Sequence, residues 1–258
     1  MDFQPILANA LTFAFEKATI EGKLTISALV IVSMISWSVM ITKGRQILKA
    51  RKTTRKFLEA YRADKDPLAL ARAQKTFAGS PAYEVYAAGS EELEYHIANN
   101  PVEVKGSKRV SVESFQSVQV AFERAASAEA LSLEKGMIVL TTAVSGGPFI
   151  GLLGTVWGVM ETFSGIAQAA SASLTAMAPG VAGALIATVV GLFVAIPAMF
   201  AYNMMITAIR GITQELDNFN SEIATDFEHR YVDNRALADE IADALRNLDN
   251  EKRQKPAA

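Results

Sequence analysis

Thr141, Pro148, Thr155 and Thr162 recur every seven residues through a stretch that is otherwise almost wholly apolar. Seven residues of α-helix drift by only about 20°, so the four line one edge. A lone hydroxyl in such a stretch usually bonds a carbonyl of its own preceding turn. A file of them can instead line a hydrated path or cradle another helix. Thr188 holds the equivalent edge of a later apolar stretch. Glu161 is the one acidic or basic side chain between residues 136 and 209. A carboxylate within a membrane segment is a functional candidate by default, although a position at the end of its stretch equally suits an interface residue. These groups can hydrogen-bond an ion in transit. No acid/base pair, nucleophile constellation or metal-spaced cluster accompanies them, so an enzyme is not expected, and no cofactor or metal is implied.

The hydroxyls stand beside small residues. Gly147, Gly151, Gly154 and Gly158 fall at spacings of four, three and four, giving a smooth seam. Gly180, Ala184, Ala187, Gly191, Ala195 and Ala198 repeat the pattern, with Leu185, Val189, Phe193, Ile196 and Phe200 opposite. In lipid, helices associate through close backbone approach at small residues. Tight packing is therefore one reading of the seams, and the wall of a pore is the other. Pro148 and Pro197 each free a carbonyl one turn earlier, which is tolerated where another helix or water satisfies it. Trp37 and Trp157 suit packing or interfacial anchoring.

The elements that position these residues follow from missing charge. Residues 24–42 carry no acidic or basic group, and the remaining 165 positions outside 24–42 and 136–209 hold 51 of the 52 charges. About 20 apolar residues span a ~30 Å hydrocarbon layer, so a soluble globular enzyme is excluded. The expected architecture is all-α, with transmembrane helices at 24–42, 136–161 and 179–209. A short small-residue hairpin at 162–178, turning through 164–173, joins the last two. Pro179 suits the first turn of the third helix. A cleaved signal peptide does not suit the first run, which starts late and lacks a small-residue cleavage site.

Seven basic residues follow the first span (Lys43, Arg45, Lys49, Arg51, Lys52, Arg55 and Lys56), whereas Lys17 and Lys23 precede it and the hairpin has none. The excess of Lys and Arg marks the cytoplasmic side. Segment 1–23 and the hairpin are thus expected outside, with 43–135 and 210–258 cytoplasmic and helical. A helix interrupted at Pro67 is expected over 44–76, and loops around Asn99–Pro101 and 105–107. A helical pattern over 110–135 is expected to run into the second span. Ile209, Ile212, Leu216, Phe219, Ile223 and Phe227 form an apolar stripe that packs either tail to tail in an oligomer or against 43–135 of the same chain. His96 and His229 are expected on the solvated surface. Net charge is −2 with no Cys, so neither nucleic-acid binding nor a disulfide scaffold is indicated.

The segment Pro148-Phe-Ile-Gly-Leu-Leu-Gly-Thr-Val-Trp-Gly-Val-Met160, with Ala178-Pro-Gly-Val-Ala-Gly-Ala-Leu-Ile-Ala-Thr-Val-Val-Gly-Leu-Phe-Val-Ala-Ile-Pro-Ala198, resembles the MotA/TolQ/ExbB proton-channel family in its ExbB/TolQ branch. The stator branch has four spans and fits less well. The resemblance implies an inner-membrane, ion-driven motor with a periplasmic N-terminus, built as a homopentamer around a dimer of ExbD- or TolR-like single-pass proteins. The partner's intramembrane Asp carries the proton, and force passes to a TonB- or TolA-like protein. Thr155 and Thr188 match the family's pore threonines. The family's third span commonly reads Pro-Gly-Ile-Ala-Glu-Ala-Leu, with Glu where Gly183 stands here. Sodium transport, or a scaffold that conducts nothing, are the alternatives this departure leaves open.

Overall fold

The computed structural model describes residues 20–104, 107–169 and 174–233. Residues 1–19 of the outer segment expected at 1–23, including Lys17, residues 105–106 and 170–173, and the tail beyond 233 lie outside them. The elements in chain order are α1 (Ile20–Ala63), α2 (Ala69–Arg72), α3 (Pro81–Asn99), β1 (Val102–Val104), β2 (Ser107–Arg109), α4 (Val112–Glu134), α5 (Met137–Ala169) and α6 (Leu174–Tyr231). They divide into two compact units, residues 1–49 with 130–212 and residues 50–129 with 213–258.

Among the described residues three helices are long and apolar enough to cross a membrane, with 18-residue windows of mean hydropathy 2.2, 1.7 and 2.4. Phe149, Phe193 and Met204 are 71%, 76% and 74% exposed. Soluble proteins rarely expose apolar patches beyond a few hundred Å², so these side chains face lipid or another transmembrane helix. The fold is an all-α, multi-pass membrane protein.

Two local features around the second and third spans differ from the sequence expectation. Helix α5 continues through Ala169 and α6 begins at Leu174, so residues 164–169 are helical where a turn was expected. Ala167, Gln168 and Ala169 are good helix formers and no Pro interrupts them. The early start of α6 also places Pro179 beyond its first turn. The second feature is a break between α4 and α5 at Gly136, which has φ +88°, where a continuous helix was expected. Glycine is the residue that takes this left-handed conformation without a Cβ penalty. The Lys43 ammonium closes the break by donating to the carbonyls of Ser132 and Leu133, both at 3.2 Å. Burial, then the nearby Lys135, pull its pKa below the usual lysine value.

The second unit is built around aromatic side chains. Phe57 meets Phe77, Tyr83, Tyr86 and Phe219 with ring centroids 5.4–5.7 Å apart, and Phe227 packs edge-on to Phe122 at 5.5 Å. Leu216, Phe219, Ile223 and Phe227 are all buried here, and Ile209 and Ile212 are buried in the first unit. The α6 stripe is therefore covered by its own chain and is not available for tail-to-tail packing. Between 99 and 107, in place of loop alone, β1 pairs antiparallel with β2, Val102 opposite Arg109. The end of α6 is tied to this hairpin by Val110 N–H to the Tyr231 carbonyl at 2.8 Å and Asp233 N–H to the Val110 carbonyl at 3.0 Å. The His96 ring is only 12% exposed and its Nε2 is buried. It packs edge-on to Tyr95 rather than lying on the solvated surface, whereas His229 is exposed.

Asp66 gathers several donors: the Tyr231 hydroxyl, the Leu68 N–H, Arg72 and Arg230. Burial alone would raise its pKa. The Tyr231 hydroxyl, the Leu68 N–H and the two guanidiniums outweigh burial and hold it below the usual carboxylate value. A carboxyl with a depressed folded pKa stabilises the fold above its unfolded pKa, and that stability is lost as pH falls through the folded value. Stability from Asp66 is thus expected to be complete at neutral pH and to disappear below the usual carboxylate range. Removing the charge-assisted bond by Tyr231→Phe is expected to cost about 1.5–3 kcal/mol. Denaturant melts at pH 7 and pH 3 test this, since the variant's deficit should shrink at pH 3.

Candidate functional site

The three spans interlock through residues that have no side chain. A Cβ built on Gly151 would stand 2.8 Å from the Ala187 carbonyl oxygen and 2.9 Å from Thr188 Cα. One on Gly147 would lie 3.0 Å from the Gly191 carbonyl oxygen, and one on Gly158 would lie 2.8 Å from Ala184 Cβ. Gly180 receives the Thr162 hydroxyl, and Gly154 meets both Ala187 and Thr25 of α1. The contacts advance along α5 as they retreat along α6, so the two run antiparallel with backbones nearly touching. The glycine seams therefore face each other within one chain, and Pro148 and Pro197 lie half-buried inside unbroken helices.

At one edge of this interface the structure brings two of the sequence-selected hydroxyls together. Thr188 Oγ1 lies 3.2 Å from the Gly151 carbonyl oxygen and 3.4 Å from Thr155 Oγ1. Thr155 in turn donates to its own Leu152 carbonyl at 2.7 Å. Both hydroxyl protons are thereby committed inside the chain. What the pair can offer a visitor is lone pairs, so it is an acceptor site, suited to a carboxylic acid proton, a water or a small cation. Neither residue is buried, and Leu152, one turn before Thr155, and Leu185 and Leu192, one turn to either side of Thr188, are exposed. Polar acceptors in an apolar frame hold a donor more strongly than the same acceptors in water.

The other candidates are placed differently. Thr162 donates to the Gly158 carbonyl at 2.7 Å and fills the space over Gly180, a packing position. Thr141 donates to Met137 at 3.3 Å, about four helical turns from Thr155 on the same edge. Glu161 is exposed and lies about 120° around α5 from Thr155 at 3.6 residues per turn. It does not meet the threonine pair. Gly183 is buried and about 140° around α6 from Thr188, so a side chain there would face away from the pair.

Two residues that sequence reasoning left unremarked take part in this unit. Thr25 sits on Gly154. Glu21, one helical turn earlier, carries a buried carboxylate oxygen that accepts no hydrogen bond. Neither stood out by composition, because each needs the register between helices to acquire a neighbour.

The chain matches the MotA/TolQ/ExbB proton channel family over residues 89–218, which include both threonines and all but the first of the three spans. It is 35% identical to the Tol-Pal system protein TolQ of Haemophilus influenzae, over 82% of this chain and 90% of that one. It is 30% identical to the biopolymer transport protein ExbB of Pseudomonas putida, over 84% of this chain and 64% of that protein. A TolQ of Pseudomonas aeruginosa is 35% identical over 72% and 78% of the two chains.

Proposed function

The chain belongs to the MotA/TolQ/ExbB proton channel family, in its TolQ/ExbB branch, and on that premise we propose that it is the ion-conducting subunit of a motor in the inner membrane. Five copies enclose a dimer of an ExbD- or TolR-like single-pass partner whose intramembrane carboxyl carries a proton. Work passes on to a TonB- or TolA-like protein. The N-terminus is periplasmic, in keeping with the seven basic residues directly after the first span.

The observation that carries this reading is the Thr155–Thr188 pair, drawn from two helices to one edge with its protons turned inward. A protonated carboxyl on a passing helix finds acceptors there that lipid cannot provide. Moving one charge through 100 mV releases roughly 2.3 kcal/mol, enough to bias a small rotation against a few such contacts.

The absence of acidic side chains from 136–209 other than Glu161 favours one alternative, a scaffold that holds its partner without conducting. Co-reconstitution of the chain and its partner in vesicles, with proton and sodium fluxes recorded under an imposed gradient, separates these. Proton flux is the expected result. Sodium flux alone makes the motor sodium-coupled, and no flux of either ion leaves the scaffold.

A further inference from the structure

Helix α1 leaves its apolar span without a break and continues to Ala63. At 3.6 residues per turn, its buried side chains Ile47, Ala50, Thr54 and Phe57 fall on one side. Arg45, Lys49, Lys52 and Lys56 fall on the opposite side, at spacings of four, three and four, and all four are exposed. Within the span the same side carries Ile31, Met34 and Ile41, also exposed. One face of one helix is therefore apolar to the end of the span and cationic directly after it. No acid occurs from residue 22 to residue 58.

Topology alone asks for a number of cations and not for their arrangement. A helix that lies only in water mixes both signs along its outer face. From Glu59 onward α1 does so, pairing Glu59 with Arg55 and Arg62 with Glu222. Before that point Lys43 is turned to the α4 carbonyls, and Arg45, Lys52 and Lys56 make no ion pair among the described residues. At a rise of 1.5 Å per residue, Arg45 lies ~4.5 Å, Lys49 ~10 Å and Lys52 ~15 Å beyond Thr42. The headgroup layer reaches roughly 5–8 Å beyond the hydrocarbon on each side. Every Cα–Cβ bond tilts toward the N-terminus of its helix, which here is toward the membrane. The charged heads thus lean back to the level of lipid phosphates while their stems follow the helix. An acidic protein would have to enter that layer to reach Arg45, whereas a lipid is already there.

We infer that the outer face of α1 at Arg45, Lys49 and Lys52 is a docking surface for anionic phospholipid, with the headgroup phosphate seated between Arg45 and Lys49. Charge complementarity and continuity with the apolar outer face of the same helix carry it. Lys52 and Lys56 extend the attraction beyond the headgroups, within about one Debye length at physiological salt. Each cation close to an anionic leaflet strengthens attachment about fivefold. The surface is independent of the conducting role and stands or falls apart from it.

The test uses the full chain in phosphatidylcholine vesicles that contain a trace of spin-labelled phosphatidylglycerol or spin-labelled phosphatidylcholine. The fraction of motionally restricted label gives the preference between the two lipids. Phosphatidylglycerol is expected to be favoured at least fivefold, and less so at 1 M sodium chloride. Arg45→Gln with Lys49→Gln is expected to bring the preference below twofold. Arg51→Gln with Arg55→Gln removes the same charge from the flank of the helix and is expected to keep most of it. Equal losses in the two pairs would reduce the effect to net charge and overturn the site. No preference in the natural chain overturns it outright and leaves the face to an acidic protein. A second measurement needs no substitution: phosphatidylglycerol with a photoreactive headgroup is cross-linked to the natural chain and the adducts are mapped by peptide mass spectrometry. Adducts are expected within residues 45–52, and adducts confined to other segments overturn the inference.

Discussion

A chain carrying Thr155→Val and Thr188→Val is expected to fold, assemble with its partner and conduct nothing. Valine has nearly the shape of threonine, so the van der Waals contacts at the edge of the α5–α6 interface persist. The loss to the fold is one interhelical hydrogen bond, worth about 0.5–1.5 kcal/mol, against a glycine seam that remains whole. The loss to transport is larger. A protonated carboxyl that meets valine methyls has no acceptor, and stranding such a group costs about 1–3 kcal/mol on mutational scales. Each substitution should therefore slow passage by roughly tenfold to a hundredfold, and the pair by more, with 1.4 kcal/mol per factor of ten. Vesicle flux and co-purification of the partner, measured on the same preparation, check both halves. Full flux in the double variant would remove the pair from the pathway.

The second large effect is on the fold. Gly151→Leu is expected to prevent the α5–α6 hairpin from closing, because its Cβ would fall within 3 Å of the Ala187 carbonyl and Thr188 Cα. Those are backbone atoms and cannot swing aside as a side chain would. Overpacking in a close-packed interior costs about 1–3 kcal/mol and sometimes more, and Gly151→Ala alone should reach that range. Leucine adds branches with nowhere to go, so little assembled complex should be recovered. Gly146→Ala is the internal control. A Cβ at Gly146 meets nothing within 4 Å, and alanine is the better helix former by about 1 kcal/mol. That variant should be at least as stable as the natural chain. Thermal stability of the purified complex distinguishes the three substitutions, and equal melting of Gly151→Ala and Gly146→Ala would contradict the packing described.

Much of this arrangement was legible in the residue order. The charge gaps located three apolar segments, and the four-three-four glycine spacing marked the face along which two of them touch. The seven-residue threonine file marked the edge beside it. The file did not stay together, however. Thr162 packs over Gly180 and Thr141 bonds within its own helix, while Thr155 gained a partner from the other span. Spacing along one helix carries no information about which part of its edge a second helix reaches. The break at Gly136 did have a local signal, since Glu134-Lys-Gly before an apolar run is a common helix ending. The helical 164–169 segment misled for the opposite reason: small polar residues suit a turn and a helix about equally. The burial of the α6 stripe was visible as a period, but its partner, the aromatic cluster around Phe57, comes from residues more than 130 positions away. Glu21 was the least legible, being an ordinary first-turn acid in the sequence although one of its oxygens is buried in the structure.

The inward commitment of the two hydroxyl protons has a directional consequence. Lone pairs welcome a neutral carboxylic acid and repel its anion, so the Thr155–Thr188 pair distinguishes the two protonation states of one side chain. A partner helix would rest at this edge while its acid is neutral and be pushed off it once the proton departs. Chemical state would then be read out as angular position, and the sense of rotation would follow from the side on which the proton is released.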